Sequence, residues 1–170
     1  MRILMMLMEG RGNSLSRALG LEHVVEPYYL LHDAGAEVVV VSALGGHPPL
    51  PDVRKRSARA IAVLERFRDD HRARDALSDT LKFTQICPGD FDGGICIGAL
   101  EGQTAADDTT AAQNLIAALL AAGKPVAVVP GDLLSTPQGP LEGLLIIGDQ
   151  VRSPTRAAKA LLAVLDPSAR

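Results

Sequence analysis

Tryptophan is absent from this 170-residue chain, and aromatic residues make up only 3% of it. The core must therefore be aliphatic, built from Ala, Leu, Val and Ile. A stacked aromatic platform for single-stranded nucleic acid is not expected. An excess of basic charge is also missing: the formal net charge is −3 with both signs spread along the chain. That argues against a phosphate-binding face and a nucleic-acid partner. The one basic cluster, residues 54–59, is followed by ERFRDDHRARD, which restores the balance and reads as a solvated helical face. Cysteine is scarce. Cys87 and Cys96 are too few for a disulfide framework and lack metal-ligand spacing. No other His, Cys, Asp and Glu set has that spacing either, so neither a metal nor a cofactor is expected. A reducing cytoplasm is the simpler context for two thiols. Long hydrophobic runs are lacking too, since none approaches the ~18 residues needed to span a bilayer. The apolar run in MRILMMLMEGRG has no small-residue cleavage site after it and reads as a first strand rather than a signal peptide. No membrane partner is expected.

Apolar residues are plentiful, at 47% of the chain, enough for one compact domain spanning residues 1–170. Short apolar runs rich in β-branched residues predict strands at Ile3–Met8, Glu37–Val41, Gly94–Ile97, Pro125–Val129 and Leu144–Ile147. Helical spacing lies between them. LEHVVEPYYLLHDAG places Val24, Val25, Tyr28 and Leu31 on one face and stops at Gly35. RSARAIAVLERFRDDHRARDAL predicts one helix or a broken pair. TTAAQNLIAALLAAG groups Leu115, Ile116, Leu119 and Leu120 and ends at Gly123. SPTRAAKALLAVL opens on a Ser153 cap followed by Pro154. The stretches 43–52 and 135–143 read as surface loops. Strands and helices alternate, and the strands are nearly continuous apolar runs, as in a sheet covered on both faces. The expected fold is α/β: a three-layer, doubly wound, mostly parallel sheet.

Ligands of such sheets sit at the carboxyl ends of the strands. The strand exits here read EGRGN from Glu9, SALGGH from Ser42, GALEG from Gly98, and Pro130-Gly131-Asp132. Neither EGRGN nor GALEG reproduces a phosphate-binding fingerprint. EHVVEPYYLLHDAGAEVVVVSALGGHPPLP resembles the Glu-Glu-x-x-x-Pro-Tyr helix, the following strand and the Gly-Gly loop of the ThiJ/PfpI superfamily. LSDTLKFTQICPGDFDGGICIGALEG is similar to the segment that enters the family's Gly-Gly-His-Gly loop. LIAALLAAGKPVAVVPGDLL is similar to the approach to its Cys-His-Gly-Pro elbow, and EGLLIIGDQVRSPTRAAKALLAVL to its tail. The segments run in the family's order. The resemblance implies a flavodoxin-like fold of the class I glutamine amidotransferase type, nearest the glyoxalase III-like branch, and a homodimer.

The resemblance also places residues where this chain departs from the family pattern. The family's nucleophilic cysteine aligns with Pro130 and its neighbouring histidine with Gly131. The carboxylate four residues before the helix proline, here Pro27, is replaced by His23, with Glu22 beside it. Chemistry that needs a thiolate is therefore not carried over. The candidate catalytic residues become His23, Glu22 and Asp132: an imidazole suited to proton transfer near neutral pH and carboxylates to work with it. Gly98, Ala99, Leu100, Glu101, Gly131, His47 and Glu26 are candidates for binding a small-molecule ligand, the first three as a loop offering backbone amides. Cys96, inside a strand, reads as an inert apolar residue. Cys87 reads as a loop residue remote from the elbow. The expected function is thiol-independent acid–base chemistry on a small carbonyl-containing molecule, as a lyase, isomerase or cyclase of bacterial specialised metabolism. The alternative is a non-catalytic protein that binds a small molecule in the same crevice.

Overall fold

A computed structural model describes residues 1–9, 20–48, 58–100, 106–129, 142–148 and 153–166. The element order is β1 (Arg2–Glu9), α1 (Glu22–Asp33), β2 (Glu37–Ser42), α2 (Ala58–Asp69), α3 (His71–Ser78), β3 (Leu81–Lys82), β4 (Gly93–Leu100), α4 (Ala106–Ala121), β5 (Val126–Val129), β6 (Leu145–Ile147) and α5 (Ser153–Leu165). The strands form one sheet in the order β3-β2-β1-β4-β5-β6, and every described strand pair is parallel.

β1 occupies the middle of the sheet, and its sequence RILMMLME shows why alternation is absent. Ile3, Met5 and Leu7 face one layer, with Val24, Val25, Tyr28 and Leu31 of α1 and Ala157, Ala158 and Leu161 of α5. Leu4, Met6 and Met8 face the other, with Ala112, Leu115, Ile116 and Leu119 of α4. Met and Leu are not strong strand formers. Burial on both faces, worth about 1.5–3 kcal/mol for each large side chain, outweighs that weak propensity.

The helix ends obey local chemistry. Gly35, at φ 82°, follows α1. Its N–H donates to His32 O at 2.9 Å, and the N–H of Ala36 donates to Leu31 O at 3.1 Å. Gly123, at φ 74°, closes α4 by the same pair of bonds, from Gly123 N to Leu120 O and from Lys124 N to Leu119 O. Both are Schellman ends, which need a residue tolerant of the left-handed region. The basic helical stretch is a broken pair. Asp70 takes extended backbone between α2 and α3, and its Oδ1 accepts from Ala73 N–H at 3.1 Å, capping α3. A polar cluster ties this corner to α1. Arg66 makes a two-pronged contact with Asp33 at 2.6 and 2.7 Å and lies 3.7 Å over the Tyr29 ring. Tyr29 Oη donates to Asp70 at 3.1 Å.

Two features depart from the sequence expectation. Gly98, Ala99 and Leu100 are not a loop: β4 runs through them, because β1 is long enough to keep pairing. Met8 pairs with Gly98 and Glu9 with Leu100, so the register shifts by one residue and Ala99 is left at a bulge. A short sixth strand, β3, adds to β2 through Leu81 and Lys82. It is anchored by a buried bond between Ser42 Oγ and Thr80 Oγ1 at 2.7 Å and by the Gly46–Thr80 bridge.

Gly35→Ala is expected to cost about 1 kcal/mol, the penalty of a left-handed Cβ, because nothing within 4 Å obstructs the added carbon. Urea denaturation measures it, and an unchanged midpoint contradicts the assignment. The Asp70 carboxyl is held below its ordinary 3.8, first by the Ala73 amide and also by Tyr29. A lowered folded value contributes stability that is present above the ordinary carboxylate range and lost as pH falls through the folded value. Asp70→Asn, which keeps a capping oxygen, is therefore expected to flatten the loss of thermal stability below about pH 4. A wild-type slope in the variant's melting temperatures against pH contradicts this.

Candidate active site at the carboxyl edge of the sheet

β1 sends its connection to β2 on one side, and β4 stands on its other side. The order reverses between β1 and β4, and open α/β sheets have their ligand crevice at such a switch point, outside the carboxyl ends of the strands. α1 must return the chain from the exit of β1 to the start of β2, where Glu37 pairs with Arg2. Its first turn, carrying Glu22 and His23, therefore stands at the carboxyl edge.

That turn has unusual local chemistry. Leu21, which precedes the helix, offers no capping side chain. His23 compensates: its N–H donates to Gly20 O at 2.9 Å, while its Nδ1 accepts from Gly20 N–H at 3.0 Å. This back-bond resembles the reciprocal half of a capping box. A backbone amide only donates, so Nδ1 presents its lone pair, and the neutral ring carries its proton on Nε2. Glu22 Oε1 lies 3.7 Å from the same Nδ1. The separation is too long for a hydrogen bond, and Nδ1 has no proton to give while it accepts from Gly20. Glu22 is 7% exposed, and its Oε2 has no hydrogen-bond partner among the described residues. A buried carboxylate oxygen without a donor costs free energy and needs an explanation. A position in the first helical turn offsets part of that cost through the helix dipole.

The other candidates separate from this pair. Glu26 spends both oxygens on the protein: Oε1 lies 3.2 Å from Arg59 Nε, and Oε2 accepts from Thr155 Oγ1 at 2.9 Å. It clamps α1 to α2 and α5, and a ligand would have to displace one of those partners. His47 is exposed on the turn after β2, at the same edge as the β1 exit. Gly98 to Leu100 form the end of β4, bordering the switch point as strand rather than loop. Glu101, Gly131 and Asp132 lie outside the described residues, as does Pro130. The orphaned Glu22 oxygen and the Gly20 back-bond were not visible in the sequence. The sole local signal was the absence of Ser, Thr, Asp or Asn at position 21 or 20.

The chain's two thiols are both placed. Cys96 pairs with Met6 and Val128 inside the sheet, fully buried, and burial pushes its thiol up to about 12. Cys87 is exposed. It adjoins Pro88 and Gly89, whose carbonyls accept from Lys124 Nζ just before β5. That puts it by the amino ends of the strands, opposite the crevice.

Neither a protein-family model nor a curated protein matches the sequence. Solved structures match its architecture. Rapid Encystment Protein 24 KDa of Francisella tularensis aligns with a TM-score of 0.59 at 11% identity, over 97% of this chain and 99% of that one. Glyoxalase III from Candida albicans aligns at 0.59 and 10% identity, over 95% and 96%. A ThiJ/PfpI domain protein from Brachyspira murdochii aligns at 0.54 and 12% identity, over 98% and 96%. The chain has the ThiJ/PfpI fold. At these identities the likeness is one of backbone, and chemistry has to be argued from the side chains of this chain. Within this ThiJ/PfpI-like sheet, Glu22 and His23 are adjacent ionisable residues on the first turn of the helix that follows β1. No group of three or more His, Cys, Asp or Glu among the described residues is arranged to hold a metal ion. No helix of the described residues is long and apolar enough to cross a membrane.

A thiol reagent at mildly alkaline pH is expected to label Cys87 alone in the native protein, and both cysteines after denaturation. Peptide mass spectrometry of the labelled chain checks this. Native labelling of Cys96 would place a reactive thiol inside the sheet and overturn the assignment.

Proposed function

We propose that this chain is a thiol-independent acid–base enzyme that acts on a small carbonyl-containing molecule at the carboxyl edge of its sheet. The observation that carries the proposal is the division of labour between Glu22 and His23. His23 Nδ1 is occupied by Gly20 N–H, which leaves an Nε2–H to donate to a carbonyl oxygen. Glu22 beside it has an oxygen with no donor, the condition of a carboxylate kept available to take a proton. A neutral imidazole that polarises a carbonyl while a carboxylate removes the adjacent proton is a known way of dividing such work. The pair supports proton abstraction next to a carbonyl more directly than chemistry that begins with His23 as base, because the ring's lone pair is already used. The positions of Cys87 and Cys96, one opposite the crevice and one sealed in β4, support a mechanism without a thiolate.

A second reading rests on the same bond. The contact from Gly20 to His23 also caps α1, and a capping histidine next to a buried carboxylate suits a protein that binds its ligand without turning it over.

Solvent-hydrogen exchange separates the two. In D2O, proton NMR of a panel of small aldehydes and ketones is expected to show enzyme-dependent loss of signal next to a carbonyl. Glu22→Gln should slow it about a hundredfold or more, the range of general acid–base effects. His23→Gln, which keeps an acceptor for Gly20 N–H, should slow it less. Exchange by the Glu22→Gln variant at the wild-type rate overturns the role of Glu22. Absence of exchange across a panel whose members bind leaves the binding reading standing.

A further inference from the structure

Building on the acid–base reading above, we infer that the substrate carries a hydroxyl group on the carbon next to its carbonyl. The two side chains at the start of α1 have complementary hydrogen-bonding needs. His23 offers an N–H on Nε2 to an acceptor, because Gly20 N–H fixes the proton there. Glu22 has an oxygen that needs a donor. A plain ketone or aldehyde meets the first need and not the second, leaving the buried carboxylate oxygen as costly in the complex as it is alone. An acid ligand would bring a second carboxylate against Glu22. Arg59 of α2, which reaches α1, is taken by Glu26 one turn beyond Glu22. An α-hydroxy carbonyl compound without charge meets both needs, its hydroxyl donating to Glu22 and its carbonyl accepting from His23.

The geometry is consistent with one small ligand bridging the pair. Glu22 Oε1 lies 3.7 Å from His23 Nδ1, so the carboxylate and the imidazole adjoin. Rotation about the last torsion of Glu22, which is broad and nearly two-fold, exchanges its oxygens and presents either one. The side chains of Glu22 and His23 are 9% and 20% exposed, and Glu22 Oε2 is itself buried, which leaves little for hydration.

The chemistry balances without a co-reactant. Glu22 takes a proton from the hydroxyl-bearing carbon. The C–H electron pair becomes the new carbon–carbon π bond, and the carbonyl π pair moves onto its oxygen as an enediolate held by His23 Nε2–H. Return of the proton to the same carbon restores the substrate with hydrogen from solvent. Its return to the former carbonyl carbon, with a proton passing between the two oxygens, gives the isomeric hydroxy-carbonyl compound.

The test compares hydroxyacetone with acetone in D2O by proton NMR, each corrected for its exchange in buffer. The expected result is enhancement at the CH2OH group of hydroxyacetone about tenfold or more above that at the acetone methyls, the size of one hydrogen bond to a charged group. Glu22→Gln should return it to the buffer rate. Glu22→Asp should retain part of it, which separates loss of the base from loss of the fold. Equal enhancement of the two ketones, or exchange confined to the methyl group of hydroxyacetone, overturns the hydroxyl requirement and leaves the acid–base reading intact. Glu22-dependent exchange in a compound without a hydroxyl, with none in hydroxyacetone, does the same. Absence of exchange with both ketones and across the wider panel removes both conclusions.

Discussion

Burial of β1 on both faces is the constraint on which the rest of this structure depends. Five consecutive side chains, Ile3 to Leu7, are withdrawn from solvent, alternately toward the α1 and α5 layer and toward α4. A strand so enclosed satisfies its backbone by pairing on both sides, with β2 and with β4. Parallel pairing in turn obliges the chain to cross back over a face after each strand. Those crossings put the first turn of α1 at the carboxyl edge.

The candidate site is thus a consequence of how the chain leaves its central strand. α1 must begin where β1 ends, and it begins without a conventional capping residue. His23 supplies the missing partner to Gly20, and that same bond decides which imidazole nitrogen carries a proton. Glu22 is carried in beside it by adjacency and is itself buried. A structural need at a helix end and a chemical bias at a crevice are met by one hydrogen bond. The polar cluster of Tyr29, Arg66, Asp33 and Asp70 steadies the far half of α1, and Glu26 fastens its first half to α2 and α5. The helix that carries the candidate pair is therefore held along its length.

Much of the fold was legible in the linear pattern. The runs ILMMLM, EVVVV, GICI and AVV are strands because uninterrupted apolar character only suits a sheet covered twice, and Gly35 and Gly123 end helices because their backbones enter the left-handed region. The resemblance carried by the α1 proline and its surroundings led to the ThiJ/PfpI fold, which the solved structures bear out. Less legible was the end of β4. Glycine at position 98 suggested a loop, while pairing to Met8 and Glu9 kept it a strand, since a long neighbour outweighs a local breaker. β3 leaves no signal in the sequence, because two residues carry no periodicity. Within the candidate site, position in the sequence singles out His23 and Glu22 and groups Glu26 with them, because the two partners of Glu26, Arg59 and Thr155, are distant in sequence.

What the sequence determined by itself is the aliphatic double-faced sheet, the order of its elements, and the scarcity of thiols, because these depend on composition and on spacing within single segments. Only the tertiary structure decided that Nδ1 of His23 is engaged, that one oxygen of Glu22 lacks a donor, that Glu26 is a clamp, and that Cys87 and Cys96 stand away from the crevice. Those are properties of surroundings. Hydrogen-bond satisfaction and burial depend on which distant segments the fold brings against a side chain, and no window along the chain contains that information.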